Sequence, residues 1–185
     1  MPREDYLLGT AVPSDMGSIM ELEGEGFSEG IRESEEVLRG RLELFPEGFV
    51  LLRARGRTLG YLACERWDSI PPATGEGFAL GEDPGARHCR LGPVLYLSSM
   101  TVHPSLRGGG FGSILFNEGR ALIHRLVPGL ETELLIVNES WAGARRIYRT
   151  AGFEERGSIP AFFEPSAGIG GAAIVMSRPV PLVTS

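Results

Sequence analysis

Apolar positions along this chain recur in two periods, and the switches between them mark its elements. Residues 6–11 read as a short opening strand. Pro13-Ser14-Asp15 then starts a helix to about Gly26, with Met16, Ile19, Met20 and Leu22 at helical spacing. Ser34 is placed to cap a second helix: Glu35 and Glu36 suit its first turn, and Val37, Leu38, Leu42 and Leu44 form its apolar side. Residues 49–55 are extended, Gly56-Arg57 turns, and residues 59–67 pair back as a hairpin. Residues 69–92 carry five glycines, three prolines, Glu76, Glu82 and Asp83. So long a loop in a compact domain is either functional or disordered. An apolar strand over 93–102, a glycine-rich turn and a helix to about Val127 follow, with Phe111, Ile114, Leu115, Leu122 and Ile123 on one face. A strand at 133–137, a helix at 140–151 capped by Ser140 and stopped by Gly152, a strand near 153–158 and a last strand at 172–177 complete the count. The order β-α-α-β-β-β-α-β-α-β-β predicts an α/β (α+β) fold in a single domain over residues 1–185.

Composition narrows the function classes. The chain has 185 residues, 42% of them hydrophobic, enough for a real core. No apolar run reaches the roughly 18 residues of a membrane span, and the first residues, Met-Pro-Arg-Glu-Asp-Tyr, lack the charged-then-apolar order of a signal peptide. A cytoplasmic protein without a membrane partner is the expectation. The net charge of −6 and pI of about 5.2 make nucleic acid a poor partner and a cationic amine a suitable one. Cys64 and Cys89 form no metal or redox motif, so inert thiols and no metal are expected. All 18 basic residues are arginine, which removes lysine chemistry altogether.

The candidate chemistry lies in Arg107-Gly108-Gly109-Gly110-Phe111-Gly112, between the strand 93–102 and the helix that follows. Unpaired N–H groups in a first helical turn, together with the helix dipole, favour a phosphate, and glycines let the backbone approach it. Arg107 adds a charge-assisted donor. A P-loop needs a lysine that the chain does not have. A dinucleotide fingerprint counted from Gly108 meets Ser113 where its third glycine belongs. Gly168-Ile-Gly170-Gly-Ala-Ala173 fits the looser form of that fingerprint but has no room for the surrounding βαβ unit, and it reads as a loop. A glycine-rich turn before a surface helix is the plain alternative.

Arg107-x-x-Gly110-x-Gly112 after Val102-His103-Pro104 resembles motif A of the GNAT acetyltransferase superfamily. A second segment, Asn138 followed by Ala144-Arg-Arg-Ile-Tyr148-Arg-Thr-Ala-Gly152-Phe153, resembles that family's next strand and helix. The resemblance covers nearly the whole chain. It implies a central mixed, mostly antiparallel twisted sheet, flanked by about four helices and splayed between its fourth and fifth strands. It also implies acetyl-coenzyme A as cosubstrate. Met100, Thr101 and Val102 would hold the pantetheine, with the Val102 N–H as oxyanion donor; taken alone they read as plain core strand. Arg107, Gly108, Gly109, Gly110, Phe111, Gly112 and Ser113 would cradle the pyrophosphate, and Asn138 and Ala144 would line the coenzyme's other side. Tyr148 would be the general acid toward the leaving thiolate; otherwise it is a helix aromatic that covers the core.

Upstream segments Glu21–Phe27 and Leu44–Leu52 loosely resemble the serotonin N-acetyltransferase branch. That branch carries two histidines where Tyr96 and Ser98 stand here. The candidates for a base are Glu25, Glu139 or a water chain along Ser98 and Ser99. His103 and His124 read as structural. Phe27, Tyr96, Ser98, Phe162, Phe163 and Glu164 are the candidate substrate residues; the last three fit a core-closing cluster or a dimer contact equally well. The expected reaction is direct acetyl transfer to a primary amine of a small molecule or peptide. A non-catalytic acyl-coenzyme A module is the alternative, and a homodimer is the family's common state.

Overall fold

The hairpin expected around Gly56 is the spine of the sheet. In the computed structural model, which describes residues 6–75, 77–164 and 170–181, β2 (Phe49–Ala54) and β3 (Arg57–Trp67) pair antiparallel. Their turn is Arg55-Gly56, one residue earlier than expected, and both residues adopt positive φ (50° and 74°). That is the turn whose twist matches the strands it joins. The other strands are β1 (Leu7–Thr10), β4 (Val94–Val102), β5 (Thr132–Asn138), β6 (Glu154–Phe163) and β7 (Gly171–Pro179). The sheet runs β1-β2-β3-β4-β5-β7-β6, antiparallel except for β4 beside β5. Glu76, Gly168 of the looser glycine pattern and the first five residues lie outside the described residues.

Helices cover both faces. α1 (Met16–Gly26) and α2 (Glu35–Leu44) pack on one face through Ile19, Leu22, Leu38 and Leu42 against Phe49, Leu51 and Tyr61. The expected Ser34 cap is present: its side chain accepts from the Val37 N–H at 3.2 Å. α3 (Phe111–Leu126) and α4 (Ala142–Thr150) lie on the other face. Leu115, Phe116 and Ile123 of α3 are fully buried there, each burial contributing about 1.5–3 kcal/mol. A glycine sets one helix start, and a side chain moves another from where the sequence put it. α3 begins at Phe111 because Gly110, at φ 83°, turns the chain into it. α4 begins at Ala142 rather than Ser140, because Ser140 gives both its N–H (2.8 Å) and its hydroxyl (2.6 Å) to Asn138 Oδ1. β6 extends to Phe163, past the expected end, with Ala161 at φ 52° inside an irregular register.

One irregularity in β4 shapes the centre of the molecule. Leu97 opposes Cys64 and Ser99 opposes Ala63, so Ser98 is an extra residue in β4. Such a bulge bends its strand and flips the alternation of side chains. Before it, Leu95 and Leu97 face α3; after it, Met100 and Val102 do, and Ser99 turns toward Tyr61 on the α1–α2 face. Pairing between β4 and β5 stops at Leu97 and Leu135, immediately before the bulge. Beyond that point the sheet is splayed.

Candidate active site

The splay opens a cleft of about 1000 Å³, including its solvent-open mouth. Ser98, Ser99 and Met100 of β4, Leu135 and Ile136 of β5, Phe116 of α3 and Tyr148 of α4 line its inner part. His103 N–H donates to Leu59 O (2.8 Å), and Gly60 opposes Val102. In an antiparallel ladder hydrogen-bonded and non-bonded pairs alternate. The backbone N–H groups of Met100 and Val102 therefore point away from β3, into the gap, while that of Thr101 faces β3. A thioester chain laid in the gap would meet strand-like donors and acceptors on its β4 side.

The glycine loop closes one end of this gap. Arg107 N–H donates to Pro104 O (3.1 Å) and Gly109 N–H to Leu106 O (3.2 Å), which folds the loop on itself. Gly109 thus serves the turn. The first backbone bond of α3 is Ile114 N–H to Gly110 O (3.1 Å). Among the described residues nothing accepts from the N–H groups of Gly108, Gly110, Phe111, Gly112 or Ser113. With the positive end of α3 behind them, these unspent donors are of the kind that suit an anion. The Arg107 guanidinium reaches the Gly26 carbonyl at 3.2 Å and ties the loop to the end of α1. Asn138 is fully buried and holds the turn into α4 through Ser140, and Ala144 packs on the core face of α4.

Tyr148 lies tilted against Phe116 (4.8 Å between ring centres) and faces the cleft. Its hydroxyl bonds to no other group among the described residues. Burial pushes its phenol up to about 12, so it stays protonated.

The outer part of the cleft is aromatic. Trp67 stacks on Tyr96 at 4.1 Å, Phe78 meets both, and Phe27 and Phe163 approach Trp141 at 6.3 and 5.9 Å. Phe78 comes from the 69–92 loop, and its ring fixes that part of the loop against the cleft wall. Burial holds the Tyr96 phenol above its ordinary range. Phe162 and Glu164 line a neighbouring recess with Gly30 and Leu80. Beneath the aromatics, Arg41 bonds Glu33 (2.8 Å) and Glu65 (2.7 Å), and Trp67 Nε1 donates to Glu65 (2.9 Å). All three charged groups are buried, and within this triad the one atom without a partner among the described residues is Arg41 Nη1. Trp67, Phe78, Trp141 and this triad carried no signal in the sequence beyond ordinary strand, loop and helix residues.

The two acidic candidates for a base sit elsewhere. Glu25 pairs with His103 (3.3 Å), half-exposed on α1, and Glu139 accepts from Ala172 N–H (2.9 Å) beyond β5. Neither lines the cleft. A different carboxylate is connected to it: Ser99 Oγ lies 2.8 Å from the Tyr61 hydroxyl, and that hydroxyl donates to Glu23, which is 1% exposed. The Ser98 hydroxyl donates to Ala63 O (2.9 Å) and secures the bulge.

A model of the acetyltransferase (GNAT) family matches residues 16–153. The chain belongs to that family. No curated protein matches it in sequence. Solved GNAT structures match its fold. The GNAT-like decarboxylase GphF, in complex with isobutyryl-CoA, aligns over 94% of this chain and 98% of its own at 20% identity and a TM-score of 0.78. The loading GNATL domain of CurA from Lyngbya majuscula covers 94% and 97% at 16% identity, TM-score 0.79. The ribosomal-protein-S18-alanine N-acetyltransferase from Escherichia coli covers 97% and 97% at 16% identity, TM-score 0.70. GNAT membership supports acyl transfer as the class of reaction and a coenzyme A-type thioester as cosubstrate. No helix among the described residues is long and apolar enough to cross a membrane.

Proposed function

We propose that this GNAT protein moves an acetyl group from acetyl-coenzyme A directly to a primary amine of a small molecule or peptide. The observation that carries the reading is the continuity of the unspent donors with the β4–β5 gap. A diphosphate on the N–H groups of Gly108, Gly110, Phe111, Gly112 and Ser113 leaves the attached thioester arm to run along Met100 and Val102. The thioester carbonyl then reaches the Val102 N–H, which stabilises the oxyanion as it forms. Amine nitrogen attacks the carbonyl carbon from the aromatic end of the cleft. The C–S bond breaks, and Tyr148 meets the departing sulfur. A thiol titrates near 8.5, below the Tyr148 phenol, so what the phenol supplies is a hydrogen bond that stabilises the thiolate rather than a downhill proton.

Calorimetry with acetyl-coenzyme A, ATP and NAD tests the cradle: only the first is expected to bind. A thiol-release screen of amines, run with acetyl- and isobutyryl-coenzyme A, tests transfer and the acyl range. The second reading, an acyl-coenzyme A-binding module without turnover, draws support from the placement of Glu25 and Glu139 outside the cleft. Tight binding of the thioester with no amine acylated would decide for that second reading.

A further inference from the structure

An ammonium that becomes an amide must shed two protons. One goes with the sulfur, which leaves with the C–S bonding pair and becomes a thiol. The other has to leave the cleft before the nitrogen lone pair can form the C–N bond. We infer that Ser99, Tyr61 and Glu23 form the path for this proton, with Glu23 as its terminus. The inference rests on the acyl-transfer reading above.

The direction of the chain follows from donor counts. An ionised carboxylate only accepts, and a phenol has a single proton. Tyr61 spends that proton on Glu23, so at the 2.8 Å contact Ser99 must be the donor to Tyr61. Ser99 Oγ then turns only lone pairs toward the cleft it lines. An ammonium placed there gives its proton to Ser99, Ser99 passes its own to Tyr61, and Tyr61 passes its own to Glu23. After the thiol departs, the Glu23 proton returns to solvent by the same route reversed.

Glu23 is built as a proton acceptor rather than as an ion-pair member. Tyr61 is fully buried and Glu23 is 1% exposed, yet among the described residues no cation contacts Glu23. Its second oxygen accepts the Glu33 N–H (2.7 Å). The charged and titratable groups around it are Tyr61 from β3, the Glu33 carboxylate ahead of α2, and Arg41 of α2, which is engaged by Glu33 and Glu65. Burial raises the Glu23 carboxyl, against the hydrogen bonds from Tyr61 and the Glu33 N–H, and this brings it nearer to the working pH of a base. Burial and the Glu23 charge hold the Tyr61 phenol well above its ordinary value, so Tyr61 conducts without resting as a phenolate.

The test compares wild type with Glu23→Gln, Tyr61→Phe and Glu23→Asp. Acetyl-coenzyme A and the best amine of the screen are the probes, followed from mildly acidic to mildly alkaline pH. In wild type kcat/KM is expected to rise through an inflection above the ordinary carboxylate range. Glu23→Gln and Tyr61→Phe lose that inflection and about 100-fold in kcat, with coenzyme A affinity by calorimetry unchanged, and Glu23→Asp restores part of both. A Glu23→Gln protein that keeps the wild-type pH profile overturns the relay. Carboxyl-labelled glutamate NMR of wild type gives a reading that no variant's folding can spoil: Glu23 titrating at an ordinary carboxylate value overturns it as well. Intact coenzyme binding with no amine acylated overturns acyl transfer itself, and the relay with it.

Discussion

At the residue scale, several of this molecule's ion pairs are buried. Arg41 compensates Glu33 and Glu65 under the aromatic wall of the cleft. Removing the cation leaves two carboxylates stranded, a loss of about 3–5 kcal/mol when a buried pair is broken. Arg41→Met should lower the denaturant midpoint accordingly, and a midpoint within experimental error of wild type would count against the triad. Tyr148→Phe should reduce turnover by about 100-fold while the coenzyme dissociation constant holds, measured by thiol release and calorimetry side by side. Some of these residues were legible in the sequence and others were not. Tyr148 stands out by its spacing from Ala144 and Gly152. Glu23 does not: its partner Tyr61 lies 38 residues away, and a glutamate on an amphipathic helix ordinarily marks a solvated face. Only the fold brings α1, β3 and β4 together and makes the connection visible.

At the element scale, the loop that opens α3 is the feature most sensitive to a single atom. Gly110 sits at φ 83° as the helix begins, a conformation that costs a side-chain-bearing residue about 1–2 kcal/mol. Gly110→Ala should weaken coenzyme A binding by about tenfold through displaced N–H groups, read by calorimetry, with a smaller effect on melting. Elements with a local cause were read correctly: the Ser34 cap, the central strands by their apolar runs, and the Gly152 stop. Elements whose ends depend on tertiary partners were not. Asn138 claims the Ser140 hydroxyl and delays α4, and β6 extends because β7 continues to pair with it through Phe163. The 69–92 loop gave composition but no target, and its Phe78 finds Trp67 and Tyr96 only in three dimensions.

At the scale of the whole molecule, stability should respond to acid through Glu133. This fully buried carboxylate bonds Arg120 (2.7 Å) and His124 (2.8 Å), with Arg178 beside it. Burial alone would raise its carboxyl; the bonds from His124 and Arg120 and the charges of Arg120 and Arg178 outweigh that and hold it below the ordinary range. A carboxyl lowered on folding stabilises the protein above its unfolded value, near 4.5, and loses that contribution as pH falls through the folded value. Glu23 runs the other way, contributing most below about 4.5 and less as pH rises through its raised value. Glu133→Gln should therefore lower Tm at neutral pH, and the gap to wild type should shrink in acid. A gap that stays constant across that range would rule out this linkage.

The gap between β4 and β5, the entrance proposed for the thioester, hangs on one surplus amino acid. Excising Ser98 would leave Leu97 and Ser99 on the sides of the sheet they already occupy, each still opposite its neighbour in β3. The straightened strand could then zip onward against Ile136, Val137 and Asn138. Such a protein should melt like its parent and carry the same hydrophobic interior, yet have no room for a cargo arm. In this chain, a vacancy for chemistry is written as a single insertion.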